Sequence, residues 1–144
     1  REYEELVLRR APIPQAPLEL SLQVPGKVVV PWAGVTIEAE PVEAEDVRFS
    51  ADPDEEFVSG GVKPPLEVRA PLPGDRFQPL GSPGTKKLKD FFIDIKLPRR
   101  LRSSTPLVLS EGRIVWVAGL RIEEGYRVRR GEREAVRLRL YRDR

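Results

Sequence analysis

Residues 74–102 read Gly74-Asp-Arg-Phe-Gln-Pro-Leu-Gly-Ser-Pro-Gly-Thr-Lys-Lys-Leu-Lys-Asp-Phe-Phe-Ile-Asp-Ile-Lys-Leu-Pro-Arg-Arg-Leu-Arg102. A Gly/Pro-punctuated stretch leads into one helical pattern, and that pattern into a basic knot. Leu88, Phe91, Phe92 and Ile95 fall at i, i+3, i+4 and i+7, the apolar stripe of an α-helix. A helix is predicted over 85–96, with Thr85 or Ser82 as its cap and Pro98 forbidding continuation. On such a helix Lys86, Lys89 and Lys96 line one flank beside Ile93, and Asp90, Asp94 and Lys87 the other. Seven cations, Lys86, Lys87, Lys89, Lys96, Arg99, Arg100 and Arg102, stand against two Asp between residues 86 and 102. A stripe that anchors beside a cationic flank offers fixed charge to phosphates.

Working outward, the flanking sequence is β-rich. Strands are predicted at 3–9, 18–24, 27–31, 35–40, 47–49 and 66–70, with a Pro-rich connector at 11–17 and turns at Pro25-Gly26 and Trp32-Ala33-Gly34. Residues 41–64 read as an acidic loop around the 47–49 strand. After the basic knot, 107–110 and 113–118 form a hairpin around Glu111-Gly112, followed by a bend at Gly119 and a strand at 120–122. A last hairpin joins 126–129 to 136–141 around Arg130-Gly131-Glu132, with Arg127, Arg129, Arg137 and Arg139 on one basic face. Trp116 is expected in the core, with Val115 and Val117 on the opposite face. The fold class is mixed and mainly β, a sandwich or barrel carrying a short helical insertion.

The 144 residues carry 25 basic and 23 acidic side chains, but the total hides two poles. Residues 1–68 hold six basic against 14 acidic (net −8), and residues 69–144 hold 19 against nine (net +10). The chain therefore reads as one domain with an acidic β half and a basic half, the latter facing a polyanion. With no Cys and no His, disulfides, thiolate metal sites and the usual general base are excluded from this chain, and no catalytic or metal-ligating residues are assigned. No run is long enough for a membrane helix. The opening on Arg1 and the absence of Met predict a piece of a longer polypeptide. Arg at 19 against six Lys, with 15 Pro, suits a heat-adapted source.

Two further motifs bear on function. Ser59-Gly60-Gly61 matches the start of a pyrophosphate loop, Ser-Gly-Gly-x-Asp-Ser, but Lys63 and Pro64 stand where Asp and Ser belong and no strand is predicted before it. It is read as a loop. Gly74 through Gly81 reads as turn, strand and turn, with Asp75 binding backbone N–H groups, Phe77 in the core and Arg76 available to a ligand.

The order Gly74-Asp75-Arg76-Phe77-x-Pro79-Leu80-Gly81, then Lys86-Lys87-Leu88-Lys89-Asp90-Phe91-x-Ile93-Asp94-x-Lys96-x-Pro98-Arg99, then Pro106-Leu107 and Ile114-x-Trp116-Val117-x-Gly119-x-Arg121 resembles the C-terminal domain of bacterial tRNA(Ile)-lysidine synthetase. The specific part covers residues 69–130, and a weaker likeness reaches back to about residue 25. The resemblance implies a β-sandwich related to a domain of phenylalanyl-tRNA synthetase, in a cytoplasmic ligase that uses ATP and Mg2+ to join lysine to the wobble cytidine of an isoleucine tRNA. It implies that catalysis sits in an N-terminal domain not contained here. This chain would then be inactive alone, need no cofactor, and bind the tRNA body toward the acceptor stem. With Arg100 added from the charge pattern, the expected tRNA-facing set is Arg76, Lys86, Lys87, Lys89, Lys96, Arg99, Arg100 and Arg102. Two alternatives are a structural module that docks onto a catalytic domain and a free-standing carboxylate enzyme. The latter lacks paired acids in a recognisable setting.

Overall fold

Alternation of apolar and polar residues decides most of the strands, and the computed structural model describes them over residues 19–48 and 50–142. The elements are β1 (Leu20–Leu22), β2 (Gly26–Val30), β3 (Val35–Glu43), β4 (Glu55–Ser59), β5 (Leu66–Arg69), β6 (Arg76–Phe77), β7 (Lys86–Lys87), α1 (Leu88–Asp94), α2 (Arg99–Arg102), β8 (Leu107–Ser110), β9 (Arg113–Val117), β10 (Arg121–Ile122) and β11 (Glu134–Arg142). Single 3-10 turns follow β3 and β10, at Ala44–Asp46 and Glu124–Tyr126. The strand expected at 3–9 and the connector at 11–17 lie outside the described residues. Among the described residues no helix is long and apolar enough to cross a membrane.

One sheet runs β1-β5-β8-β9-β10 and another β2-β3-β11-β4, both antiparallel throughout, with β6-β7 as a separate ribbon. The two large sheets share one core. Leu22, Val68 and Val108 come to it from the first sheet, and Ile37, Val58 and Leu138 from the second. This is the expected mainly-β sandwich.

The helix needs a second apolar surface, and β8 and β9 supply it. Both are buried on their two faces, the pattern of strands covered on each side. Leu107 and Leu109, with Ile114 and Val117, turn away from the sandwich core toward α1, while Val108 turns inward. The register slips between Val108↔Trp116 and Leu109↔Ile114, leaving Val115 as an extra, bulged residue. Its carbonyl accepts instead from the Glu123 N–H at 2.8 Å. The bulge corrects the expected side-chain alternation: Val115 joins Trp116 in the sandwich core, and only Val117 faces the helix. Trp116 itself is fully buried, as its strand position implies. The two-residue turn before β9 has positive φ at both Glu111 (50°) and Gly112 (81°), which fits the twist of a tight hairpin.

Two sequence expectations fail at the acidic segment and the last hairpin. β3 continues to Glu43, Val47 and Arg48 of the expected 47–49 strand are in no strand while Phe49 lies outside the described residues, and the next strand is Glu55–Ser59. Ser59-Gly60-Gly61 therefore does follow a strand, yet its groups are used in packing. The Ser59 hydroxyl donates to Glu132 Oε2 at 2.6 Å, and a Cβ on Gly60 would sit 2.6 Å from the Glu134 carbonyl oxygen. β11 pairs not with 126–129 but with β3 on one side and β4 on the other. Alternation along a strand fixes which face is buried, not which neighbour it takes.

Candidate nucleic-acid interface

α1 is held by its stripe. Leu88, Phe91 and Phe92 are buried against Phe77, Leu107, Leu109, Ile114 and Val117. Phe77 and Phe91 meet edge to face at 5.1 Å, a geometry favoured by the ring quadrupoles. The Arg121 guanidinium lies over the Phe91 ring, 5.4 Å from its centre. Arg121 is an exposed cation beside the helix that the expected set omitted. The signal was available in its spacing after Trp116 and Gly119.

The helix is shorter than predicted, Leu88–Asp94 rather than 85–96. Neither Thr85 nor Ser82 caps it. Lys87 stands at the N-cap without a side-chain cap bond, and Lys86–Lys87 form β7, opposite Arg76–Phe77. At the other end Leu97 N–H reaches the Phe92 carbonyl at 3.0 Å and Lys96 N–H the Ile93 carbonyl at 3.0 Å, the paired bonds of a Schellman ending. Lys96 takes the left-handed position, φ 60°, where glycine is usual. Pro98 then opens α2, a short helix not foreseen from the sequence, which carries Arg99, Arg100 and Arg102.

Asp75 fixes the loop leading into this region. Its carboxylate takes both Arg69 Nη groups (2.9 and 3.0 Å) and the Leu72 N–H (2.7 Å), and its carbonyl takes the Leu88 N–H at 2.9 Å. Its predicted role as an acceptor for backbone N–H is therefore seen, with an ion pair added.

The predicted cations do not share one helix flank. They lie on four consecutive pieces: Arg76 on β6, Lys86 and Lys87 on β7, Lys89 and Lys96 on α1 and its end, and Arg99, Arg100 and Arg102 on α2. Arg76 and Lys87 stand directly across the β6-β7 ribbon, both exposed. Like charges in that arrangement are destabilising. Arg76 donates to Thr85 Oγ1 at 3.3 Å. Lys86 pairs with Asp94, and Arg102 is half-buried, its Nε donating to the Leu97 carbonyl at 3.0 Å. Among the described residues, no carboxylate lies within ion-pair distance of Arg76, Lys87, Lys89, Lys96, Arg99, Arg100 or Arg102.

The β11 arginines behave otherwise. Arg137 is bound by Glu55 and, at 2.7 Å, by Glu40. Arg139 pairs with Glu55 at 3.4 Å, and Arg142 with Asp54 at 2.9 Å. The expected basic face joining them to Arg127 and Arg129 is therefore not formed; Arg127 pairs with Glu124 at 2.7 Å. The hydrogen bond from Arg137 holds the Glu55 carboxyl below its ordinary range, and the same bond raises the pKa of Arg137. On the inward side of the same edge strand, burial pushes Glu56 up.

Comparison with known proteins agrees with this architecture. The family model described as the TilS substrate C-terminal domain matches residues 66–140. The tRNA(Ile)-lysidine synthase of Symbiobacterium thermophilum is 39% identical over 116 residues, 80% of this chain and 24% of that protein. That of Caldanaerobacter subterraneus is 51% identical over 67 residues, 46% of this chain and 14% of that protein. The chain thus spans about a quarter or less of the length of these curated relatives. A solved structure described as the crystal structure of TILS C-terminal domain superposes with a TM-score of 0.72 at 34% identity, covering 86% of this chain and 97% of that one. With half of its length matched by the family model and nearly all of the solved domain covered, the chain belongs to the family of TilS substrate C-terminal domains, the C-terminal domain of tRNA(Ile)-lysidine synthase.

Proposed function

We propose that this domain binds tRNA through the cations of β6, β7, α1 and α2, and does no chemistry itself. One observation carries the reading: the sorting of charge. The β11 arginines are neutralised by carboxylates of the acidic half, whereas seven of the eight predicted cations are left without one among the described residues. A stem of A-form RNA hides its bases, so cations fixed on short rigid elements read its phosphates and shape.

The rest of the reaction belongs to the longer protein of which such a domain is part. There, ATP and Mg2+ would activate the wobble cytidine of the isoleucine tRNA with CAU anticodon, and lysine would attack it. This domain, cytoplasmic with its parent, would hold the tRNA body near the acceptor stem. The catalytic domain of the same polypeptide would be its other partner.

The test is a salt titration of tRNA binding by the 144-residue chain. With roughly five phosphates contacted, log K falls against log[salt] with a slope of about −4 to −5. Absence of tRNA affinity, together with a salt-insensitive complex with the catalytic domain, would make this a docking module instead.

A further inference from the structure

A hollow opens between the Pro71–Pro73 loop and the start of α1, with a volume of about 440 Å³. Leu72, Pro73 and Phe92 line it together with Lys87, Lys89 and Arg102. A single exposed leucine is ordinary. Leu72, 55% exposed, is different because its backbone is held from two sides. Its N–H donates to Asp75 Oδ2 at 2.7 Å, and its carbonyl accepts from the Asp75 N–H at 3.2 Å. Asp75 is itself clamped by Arg69. The apolar wall is thus preorganised beside three cations.

Phosphate contacts alone give no reason for an apolar hollow there. A duplex is too wide for this volume, which lies within the roughly 300–1,000 Å³ of small-ligand sites. A splayed nucleotide fits: its base lies against apolar side chains while cations take the phosphates on either side. Arg102 suits the role, since it lines the hollow and its Nε bond to the Leu97 carbonyl restrains the side chain.

We infer that this hollow takes one unpaired nucleotide of an RNA, its base against Leu72 and Pro73 and its flanking phosphates on Lys87, Lys89 and Arg102. The inference rests on the RNA-binding reading above and adds a single-stranded element to it.

The experiment compares a blunt RNA hairpin with the same hairpin carrying a four-nucleotide unpaired extension at its 3′ or 5′ end. Both are titrated against the 144-residue chain and its Leu72→Ser variant. At least one extension is expected to tighten binding by the wild-type chain about tenfold. Leu72→Ser is expected to abolish that gain and leave blunt-hairpin affinity unchanged. No gain from either extension, or equal weakening of both RNAs by Leu72→Ser, overturns the inference while blunt-hairpin binding keeps the broader reading intact. Loss of all RNA binding overturns both. Displacement of the extension's advantage by millimolar AMP would make the hollow a free-mononucleotide site and overturn the RNA assignment.

Discussion

Lys96 occupies a backbone position that disfavours a side chain, at the turn that ends α1. A non-glycine residue there costs about 1 kcal/mol, so Lys96→Gly is expected to raise the unfolding free energy by about that much in denaturant melts. Loss of its charge is expected to weaken tRNA binding and make the salt slope shallower by about one. Stability and affinity moving in opposite directions would mark the lysine as kept for binding. Asp75 has the contrary character. Asp75→Ala leaves Arg69 uncompensated, and is expected to cost about 3 kcal/mol while loosening Leu72. Neither point was legible beforehand in full. The sequence showed Asp75 as a turn acceptor, but its partner Arg69 lies six residues back, at the end of β5. Lys96 read as a helix-flank residue because nothing in the residue itself marks a left-handed turn.

At the level of elements, the apolar stripe was legible because i, i+3, i+4 spacing has few other uses. The ends of the helix were not, because residues 85–87 have a competing partner in Arg76–Phe77. The strand pattern told which residues of β11 are buried and could not tell that β3 and β4 would flank it. That choice decides the electrostatics: it turns a supposed basic face into an ion-pair ladder. Two outcomes are expected. Phe91→Ala removes the contact with Phe77 and the seat of Arg121, and should lower the unfolding free energy by about 3–5 kcal/mol; Ile93→Ala, on the exposed side, should change it by less than about 0.5 kcal/mol. The ladder sets an acid limb. Glu55 has its pKa lowered on folding, so the stability it contributes is present above its unfolded value and is lost as pH falls through the folded one. Urea midpoints should therefore drop below the ordinary carboxylate range, and Glu55→Gln should flatten that drop. Glu56 works in the other sense, since burial raises it, and Glu56→Gln should stabilise the domain slightly at neutral pH.

Across the whole molecule, the two charge poles of the sequence do not become two separate faces. β11 carries part of the basic half into the sheet that holds the acidic strands β3 and β4, and spends Arg137, Arg139 and Arg142 there. What is left over on β6, β7, α1 and α2 is the candidate interface, mounted on the outer apolar face of the other sheet. The bulge at Val115 turns both Val115 and Trp116 into the sandwich core and leaves Val117 for the helix, and composition gave no sign of it. Other exposed arginines exist, at 129, 130 and 133, and these separate a specific interface from general attraction. The direct measurement is the salt dependence of tRNA binding for two triple variants that lose the same charge. Lys87, Lys89 and Arg99 are changed to Ala in one, and Arg129, Arg130 and Arg133 in the other. The first variant is expected to show a slope shallower by about three and a large loss of affinity, and the second to stay close to wild type. Equal losses in both variants, or none in the first, would contradict it.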